Sequence, residues 1–241
     1  MANTQKTAIV TGASQGIGAG LVEAFLKRGY NVVANSRNIT KTNPFPASAN
    51  LALVGGDIGD PKTAAKLVEA AVSRFGRIDS LINNAGIFIP KPFIEYTTEE
   101  FNALVSTTLA GFLYVSQLSV KQMLRQKSGS IVNISTTLVD QPVAGVGAAV
   151  QIMIKGGLNS VTRALAIEYA KEGIRVNTVA AGIIDTPMHK PETLEFLKGL
   201  HPIGRIGEVK EIVDAVLYLT DATFTTGEIL HVDGGAHAGK W

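Results

Sequence analysis

Cysteine is absent from the 241 residues, which removes disulfides, thiolate metal sites and cysteine nucleophiles together and fits a reducing compartment. An excess of one charge is missing too: 22 basic side chains stand against 20 acidic ones, and the basic ones are scattered rather than gathered into a stripe. A nucleic-acid surface is therefore not expected. No long hydrophobic run occurs. The longest nearly apolar stretch, Val143 to Ile154, is broken by two glycines and a glutamine and falls short of the roughly 20 residues that span a bilayer. Met1 to Lys6 is polar and leads directly into strand-like sequence, so no signal-peptide core is expected and a cytoplasmic location is. His189, His201, His231 and His237 show no metal-ligand spacing with nearby acids, and no Gly-x-Ser-x-Gly elbow occurs. Neither metal-assisted chemistry nor serine hydrolysis is expected.

What is present is a rhythm. Short runs rich in valine and isoleucine alternate with longer segments of helical period along almost the whole chain, which implies a parallel sheet with helices on both faces. The pattern predicts strands at about Thr7–Thr11, Asn31–Asn35, Leu51–Gly55, Ser80–Asn83, Ser130–Ser135, Arg175–Ala180 and Ile229–Val232. The first helix carries Ile17, Leu21, Ala24 and Phe25 on one stripe and is expected to stop at Arg28-Gly29, where glycine suits a left-handed cap. No repeat and no linker divides the chain. The expected fold class is α/β, a doubly wound parallel sheet in one domain over residues 1–241.

Directly after the first strand comes Thr11-Gly12-Ala13-Ser14-Gln15-Gly16-Ile17-Gly18, opening the first helix. Glycine permits a tight turn and close backbone approach, and a helix N-terminus offers unpaired N–H groups and a positive dipole end, so this segment reads as a phosphate cradle with Ser14 lining it. Further motifs follow in order: Asp57-Ile58, Asn83-Asn84-Ala85-Gly86, Ile174-Arg175-Val176-Asn177, Gly182-Ile183-Ile184-Asp185-Thr186-Pro187 and Val232-Asp233-Gly234-Gly235. With the Gly-x-x-x-Gly-x-Gly spacing of the loop, the whole chain resembles the short-chain dehydrogenase/reductase family.

The resemblance implies a Rossmann-type, NAD- or NADP-binding oxidoreductase. It places Gly12, Gly16 and Gly18, with Ser14, Gln15 and Ile17, at the pyrophosphate, and Asp57 and Ile58 beside the adenine. Asn83, Ala85 and Gly86 would border the riboses, and Gly182, Ile184 and Thr186 the nicotinamide carboxamide. The family's usual Pro-Gly there reads Ala181-Gly182. At the end of the second strand, where a carboxylate would hold an NAD ribose, stand Ser36 and Arg37. A guanidinium pairs with a 2′-phosphate through charge-assisted bonds, so NADP(H) is expected to be preferred, with NAD(H) possible. The alternative reading of Arg37 is a solvated surface arginine.

Family members usually carry a serine, a tyrosine four residues before a lysine, and an upstream asparagine. Here Lys155 matches the lysine, but Gln151 stands at the tyrosine position, Thr136 at the serine and Thr108 at the asparagine. The stretch from Asn133 to Gln151 is about two residues longer than the family's, so Thr137 or Ser135 is an alternative to Thr136. A glutamine amide donates a hydrogen bond but cannot release a proton at neutral pH, and such a loss typically costs about 10²–10⁴ in rate. Three other side chains carry suitable protons. Each reads first as structural: Tyr96 as a loop aromatic, Asp140 as a solvated turn acid, His189 as an exposed residue of the covering segment.

That segment, at about 188–202 and flanked by Pro187, Pro191 and Pro202, is expected to cover the substrate. Thr137, Val146, Gln151 and His189 are the expected substrate pocket. The apolar run Val143–Ile154 either lines that pocket, favouring an apolar ketone or imine, or is the core packing of a helix start. The helix after Lys155, with Leu158, Val161, Leu165 and Glu168 on neighbouring turns, is expected to form a homodimer or homotetramer face. Two functions compete. One is an NADP(H)-dependent reductase acting on C=O or C=N with Lys155, Thr136 and Gln151 at the reacting centre. The other is a catalytically silent NADP-binding sensor or assembly subunit, which would account for the missing phenol.

Overall fold

Strands buried on both faces need β-branched and small apolar side chains throughout, and seven such runs pair as one wholly parallel sheet in the computed structural model, which describes residues 5–189 and 193–239. They are β1 Thr7–Thr11, β2 Asn31–Ser36, β3 Leu51–Gly55, β4 Ser80–Asn83, β5 Gly129–Thr136, β6 Ile174–Ala181 and β7 Ile229–Val232, in the order β3-β2-β1-β4-β5-β6-β7. β2, β5 and β6 run slightly past the ends the pattern predicts, because register continues across to a neighbour: Ser36 sits opposite Gly55 and Thr136 opposite Ala181. The domain expected over 1–241 and the cover expected at about 188–202 reach into residues 1–4, 190–192 and 240–241, outside the described residues; Pro191 is one of these.

Helices α1 Gly16–Lys27 and α8 Val209–Asp221 cover one face, closing over Leu21, Val22, Phe25, Ile212 and Val216 with Val10 and Val132 of the sheet. A four-residue helix, α2 Ile39–Thr42, follows β2. The other face is covered by α3 Pro61–Phe75, α5 Gly111–Gln126 and α6 Ala149–Tyr169, over Ile9, Val33, Leu67, Leu81, Met123 and Val176. Local signals set the ends of α3: the Asp60 carboxylate accepts from the Lys62 N–H, Pro61 opens the first turn and Gly76 closes the helix at φ +82°. Helix α4, Thr98–Leu104, begins with a reciprocal Thr97/Glu100 capping box and passes through a π-helical turn, Val105–Ala110, into α5. The joined rod, Thr98–Gln126, is long and apolar enough to cross a membrane by length and composition. Its Leu104, Phe112, Val115, Val120 and Met123 are buried in the protein's own interior. A short helix, α7 Leu194–Lys198, lies in the excursion after β6.

One expectation about α6 is corrected. Leu158 is only 2% exposed and packs inward, so it cannot belong to an outward face; the exposed apolar residues of this helix are Met153 and Ile167, with Gly157, Ser160 and Ala164 between them. The chain order reverses between β1 and β4, and in parallel sheets of this order the carboxyl ends of the strands at that reversal border the binding crevice.

Candidate functional site

The turn leaving β1 is shaped by glycine where nothing else fits. Gly12 has φ +65°, and a Cβ on Gly18 would stand 2.2 Å from the Gly12 carbonyl oxygen. Gln15 caps α1 without a side-chain hydrogen bond to its first turn, which leaves those N–H groups open to an anion. Ser14 is half-buried beside it and Gln15 is exposed.

Two residues without an assigned part hold this loop in place. The Thr11 hydroxyl accepts the backbone N–H groups of Asn84 and Ala85, both at 3.1 Å. Nδ2 of Asn84 donates back to the carbonyls of Thr11 (3.0 Å) and Gly12 (3.1 Å). The ends of β1 and β4 are thereby tied across the topological reversal. Asn84 was legible as part of a motif; nothing in the spacing identified its amide as the brace. Asn83, by contrast, turns inward: its Nδ2 donates to Ser116 Oγ (3.2 Å) and Asn133 Oδ1 (2.9 Å), so only its backbone borders the crevice.

Ala85 and Gly86 link the loop to the lysine. A Cβ on Gly12 would lie 2.8 Å from the Ala85 Cα, and a Cβ on Gly86 would lie 3.6 Å from Nζ of Lys155. Lys155 is buried, donates to the Ile134 carbonyl oxygen at 2.6 Å and makes no ion pair among the described residues. Burial lowers its pKa from the ordinary 10.5 to about 8.

Of the other candidate side chains, some are engaged and some are not. Gln151, 3% exposed, donates from Nε2 to the Ile87 carbonyl at 2.9 Å, while its Oε1 has no partner among the described residues. Thr136 Oγ1 accepts the Leu138 N–H at 3.3 Å. Thr137 turns to Asp233, donating to Oδ2 at 2.5 Å, and Asp233 also receives His237. Ser135 Oγ and Thr108 Oγ1, the latter within the π-helical turn, are buried without partners among the described residues. The Tyr96 hydroxyl donates to the Ile89 carbonyl, and its ring packs with Ile87, Ile89, Val150 and Ile154 in a small cluster. Asp140 pairs with His231 Nε2 at 2.9 Å, and His231 stacks on His237 at 3.9 Å between centroids. Val146 is half-buried in the loop before α6, which Lys91 anchors by donating its N–H to the Gly147 carbonyl at 2.8 Å.

The segment after β6 closes the other side. A Cβ on Gly16 would meet Thr186 Cγ2 at 3.1 Å, which sets Thr186 against the glycine loop. Ile184 is buried and bridges to Gly207. Gly182 leaves room for His201, whose Nε2 accepts the Ile183 N–H at 3.0 Å. Burial lowers the His201 pKa, and an accepting Nε2 belongs to a neutral ring. No sequence pattern separated this buried histidine from the surface ones. His189 is half-buried at the edge of the segment; burial lowers its pKa, and the Asp185 carboxylate only partly offsets this.

At the far side of the crevice Ser36 is half-buried and Arg37 exposed, without an ion-pair partner among the described residues. Asn35 is buried and ties β2 to the carbonyls of Val54 and Gly56. Asp57 is exposed and accepts the Gly59 N–H, and Ile58 is buried against Gly111.

Residues 12–237 match a family model described as enoyl-(acyl carrier protein) reductase. A tropinone reductase homologue of Arabidopsis thaliana is 35% identical over 95% of this chain and 91% of its own length. Among solved structures, ElxO with NADP bound superposes with a TM-score of 0.90 at 28% identity, covering 98% of this chain and 100% of that one. A 3-ketoacyl-(acyl-carrier-protein) reductase from Brucella melitensis, complexed with NADH, gives a TM-score of 0.90 at 30% identity over 96% of this chain and 98% of that one.

Proposed function

The chain belongs to the short-chain dehydrogenase/reductase family of oxidoreductases, and from that premise we propose that it is an NADP(H)-dependent reductase of C=O or C=N groups in apolar small molecules. The observation that carries the reading is the continuous line from the glycine cradle through Ala85 and Gly86 to Lys155. The residues present fit a nicotinamide dinucleotide. A Cβ on Gly18 would run into the Gly12 carbonyl, so only glycine lets the loop close into the turn that would cradle the pyrophosphate, and Thr186 stands against Gly16 where the far half of the dinucleotide would turn into the cleft.

When bound, that group supplies a hydride; everything else falls to the chain. Gly12, Gly16 and Gly18 would hold the diphosphate, and Ser36 and Arg37 the 2′-phosphate. Arg37 is exposed, unpaired among the described residues, and has no acid beside it in sequence to repel that phosphate. Lys155 would reach the ribose and the reacting heteroatom. Val146 and the neighbouring apolar residues exclude water, and Ile87, Ile89, Val150 and Ile154 form the wall behind them, which disfavours a charged substrate. The exposed Met153 and Ile167 of α6 and Leu113 of α5 are the surface we assign to self-association as a homodimer or homotetramer.

Fluorescence titration with NADPH and NADH, followed by NADPH oxidation with a panel of ketones and cyclic imines, tests the reading. Tighter NADPH binding and turnover of apolar substrates are expected, with Gln151→Tyr raising turnover by about 10–10³-fold through the added phenol. Absence of binding to either dinucleotide overturns it. Saturable binding without turnover on any substrate, in wild type and variant alike, establishes the silent binding protein instead.

A further inference from the structure

The reaction assigned to this site needs a proton, and the side chains around the cleft leave one group able to give it. The Gln151 amide holds no acidic proton and is bonded to Ile87. The Tyr96 hydroxyl is committed to the Ile89 carbonyl, and the Thr137 hydroxyl to Asp233. The hydroxyls of Ser135, Thr136 and Thr108 do not ionise at neutral pH. Asp140 is exposed and paired with His231, and His189, whose pKa burial holds below the ordinary 6.5, is neutral at pH 7 and carries no imidazolium proton to give. Lys155 differs from all of these. Its ammonium carries three protons, one of which goes to the Ile134 carbonyl, and it has no carboxylate partner among the described residues. The side toward Gly86 is open for want of a side chain there.

We propose that the ammonium of Lys155 is the proton donor of this protein, delivering directly to the oxygen or nitrogen of the substrate's double bond. The inference rests on the reductase reading above. As the carbon accepts hydride from the reduced dinucleotide, the π pair of C=O or C=N forms a bond to the proton. The N–H bond of the ammonium breaks, its electron pair stays on Nζ, and the neutral amine regains a proton from water. The lysine suits this task because burial alone, with no charged neighbour contributing, brings its ionisation to about 8, close to the working pH at which a general acid is most effective. No titratable neighbour acts on it: its hydrogen bond goes to the Ile134 carbonyl of β5, Gly86 lies beside Nζ, Gln151 stands one turn earlier on its own helix, and desolvation is the sole influence on its ionisation.

Two measurements test the proposal. In lysine-labelled protein without dinucleotide, the ¹³Cε signal of Lys155, assigned by its loss in Lys155→Arg, is expected to titrate near 8, below the ordinary lysine value. With NADPH and the probes ethyl acetoacetate, cyclohexanone and 3,4-dihydroisoquinoline, kcat is expected to fall tenfold per pH unit above that midpoint. Lys155→Arg keeps the charge but releases no proton, so kcat is expected to drop about 10²–10⁴-fold while NADPH affinity changes little. Added ethylamine is expected to restore turnover to Lys155→Ala, which a purely structural lysine would not allow. A wild type that reduces the probes together with a Lys155→Arg variant of equal rate and unchanged pH profile overturns the lysine assignment alone. So does a wild-type spectrum in which no lysine signal titrates below about 10, a reading that needs neither assignment nor a variant that folds. A wild type that binds NADPH and reduces none of the probes overturns the reductase reading and the lysine with it.

Discussion

Nε2 of Gln151 donates to the carbonyl oxygen of Ile87 at 2.9 Å, so the side chain one helical turn before Lys155 braces the segment after β4. Replacing it with leucine strands that carbonyl but also removes the unpartnered Oε1, and the two effects oppose each other. Gln151→Leu is expected to lower stability by only about 1 kcal/mol, read from the urea midpoint at constant m.

Lys155→Met is expected to stabilise the fold while abolishing turnover. Its pKa is lowered to about 8 in the folded chain against the ordinary 10.5. Below the lower value both states hold the proton and the folded state bears the full cost of a desolvated charge. Between the two only the unfolded chain binds it, so wild-type stability rises with pH across that window. At pH 7 the methionine variant is expected to be more stable by about 1–3 kcal/mol, the gain narrowing as pH rises to 10. Denaturant melts at pH 7 and pH 10 check both sign and window.

Gly18→Ala tests the cradle. The new methyl would sit 2.2 Å from the Gly12 carbonyl oxygen and 2.7 Å from Nδ2 of Asn84, so the turn must move. NADPH affinity is expected to fall by about 10²-fold or more, equivalent to about 3 kcal/mol, in fluorescence titration.

Arg37→Glu is expected to weaken NADPH binding by about 10–100-fold and leave NADH binding unchanged or tighter, because a carboxylate repels the 2′-phosphate that a guanidinium would hold. Loss of both affinities in equal measure would show that Arg37 does not discriminate between them.

His201 gives the protein an acid limb. Its neutral Nε2 accepts from Ile183, and burial holds its folded pKa below the ordinary 6.5. The folded state thus binds fewer protons than the unfolded one just below that value, so the stabilisation is complete above it and is lost as pH falls through it. Stability is expected to fall as pH drops below 6.5, and the fall to be flattened in His201→Gln, read from denaturant midpoints across that range.

The sheet was legible because parallel strands buried on both faces admit so few residue types: Thr7–Thr11 and Leu51–Gly55 are where the pattern predicts them. Ends were less so, since Thr136 joins β5 only by pairing with Ala181, a long-range fact. The outward stripe of α6 was misread at Leu158 because its true exposed residues, Met153 and Ile167, are as apolar as the buried ones. The glycine turn showed itself through spacing. The Asn84 brace, the Gln151 bond to Ile87 and the His201 bond to Ile183 did not, because each joins a side chain to a backbone atom 64 to 73 positions away or, for histidine, 18.

Beneath the crevice, Asn83 donates to Asn133, Asn133 to Thr162, and the hydroxyls of Thr162 and Thr178 meet at 2.8 Å. This buried polar rung joins β4, β5, α6 and β6 below every loop of the site. Because α6 is pinned by it, Lys155 keeps its station whatever sequence occupies the loops above. Descendants or designers can exchange those loops, and with them the molecules admitted, without realigning the lysine.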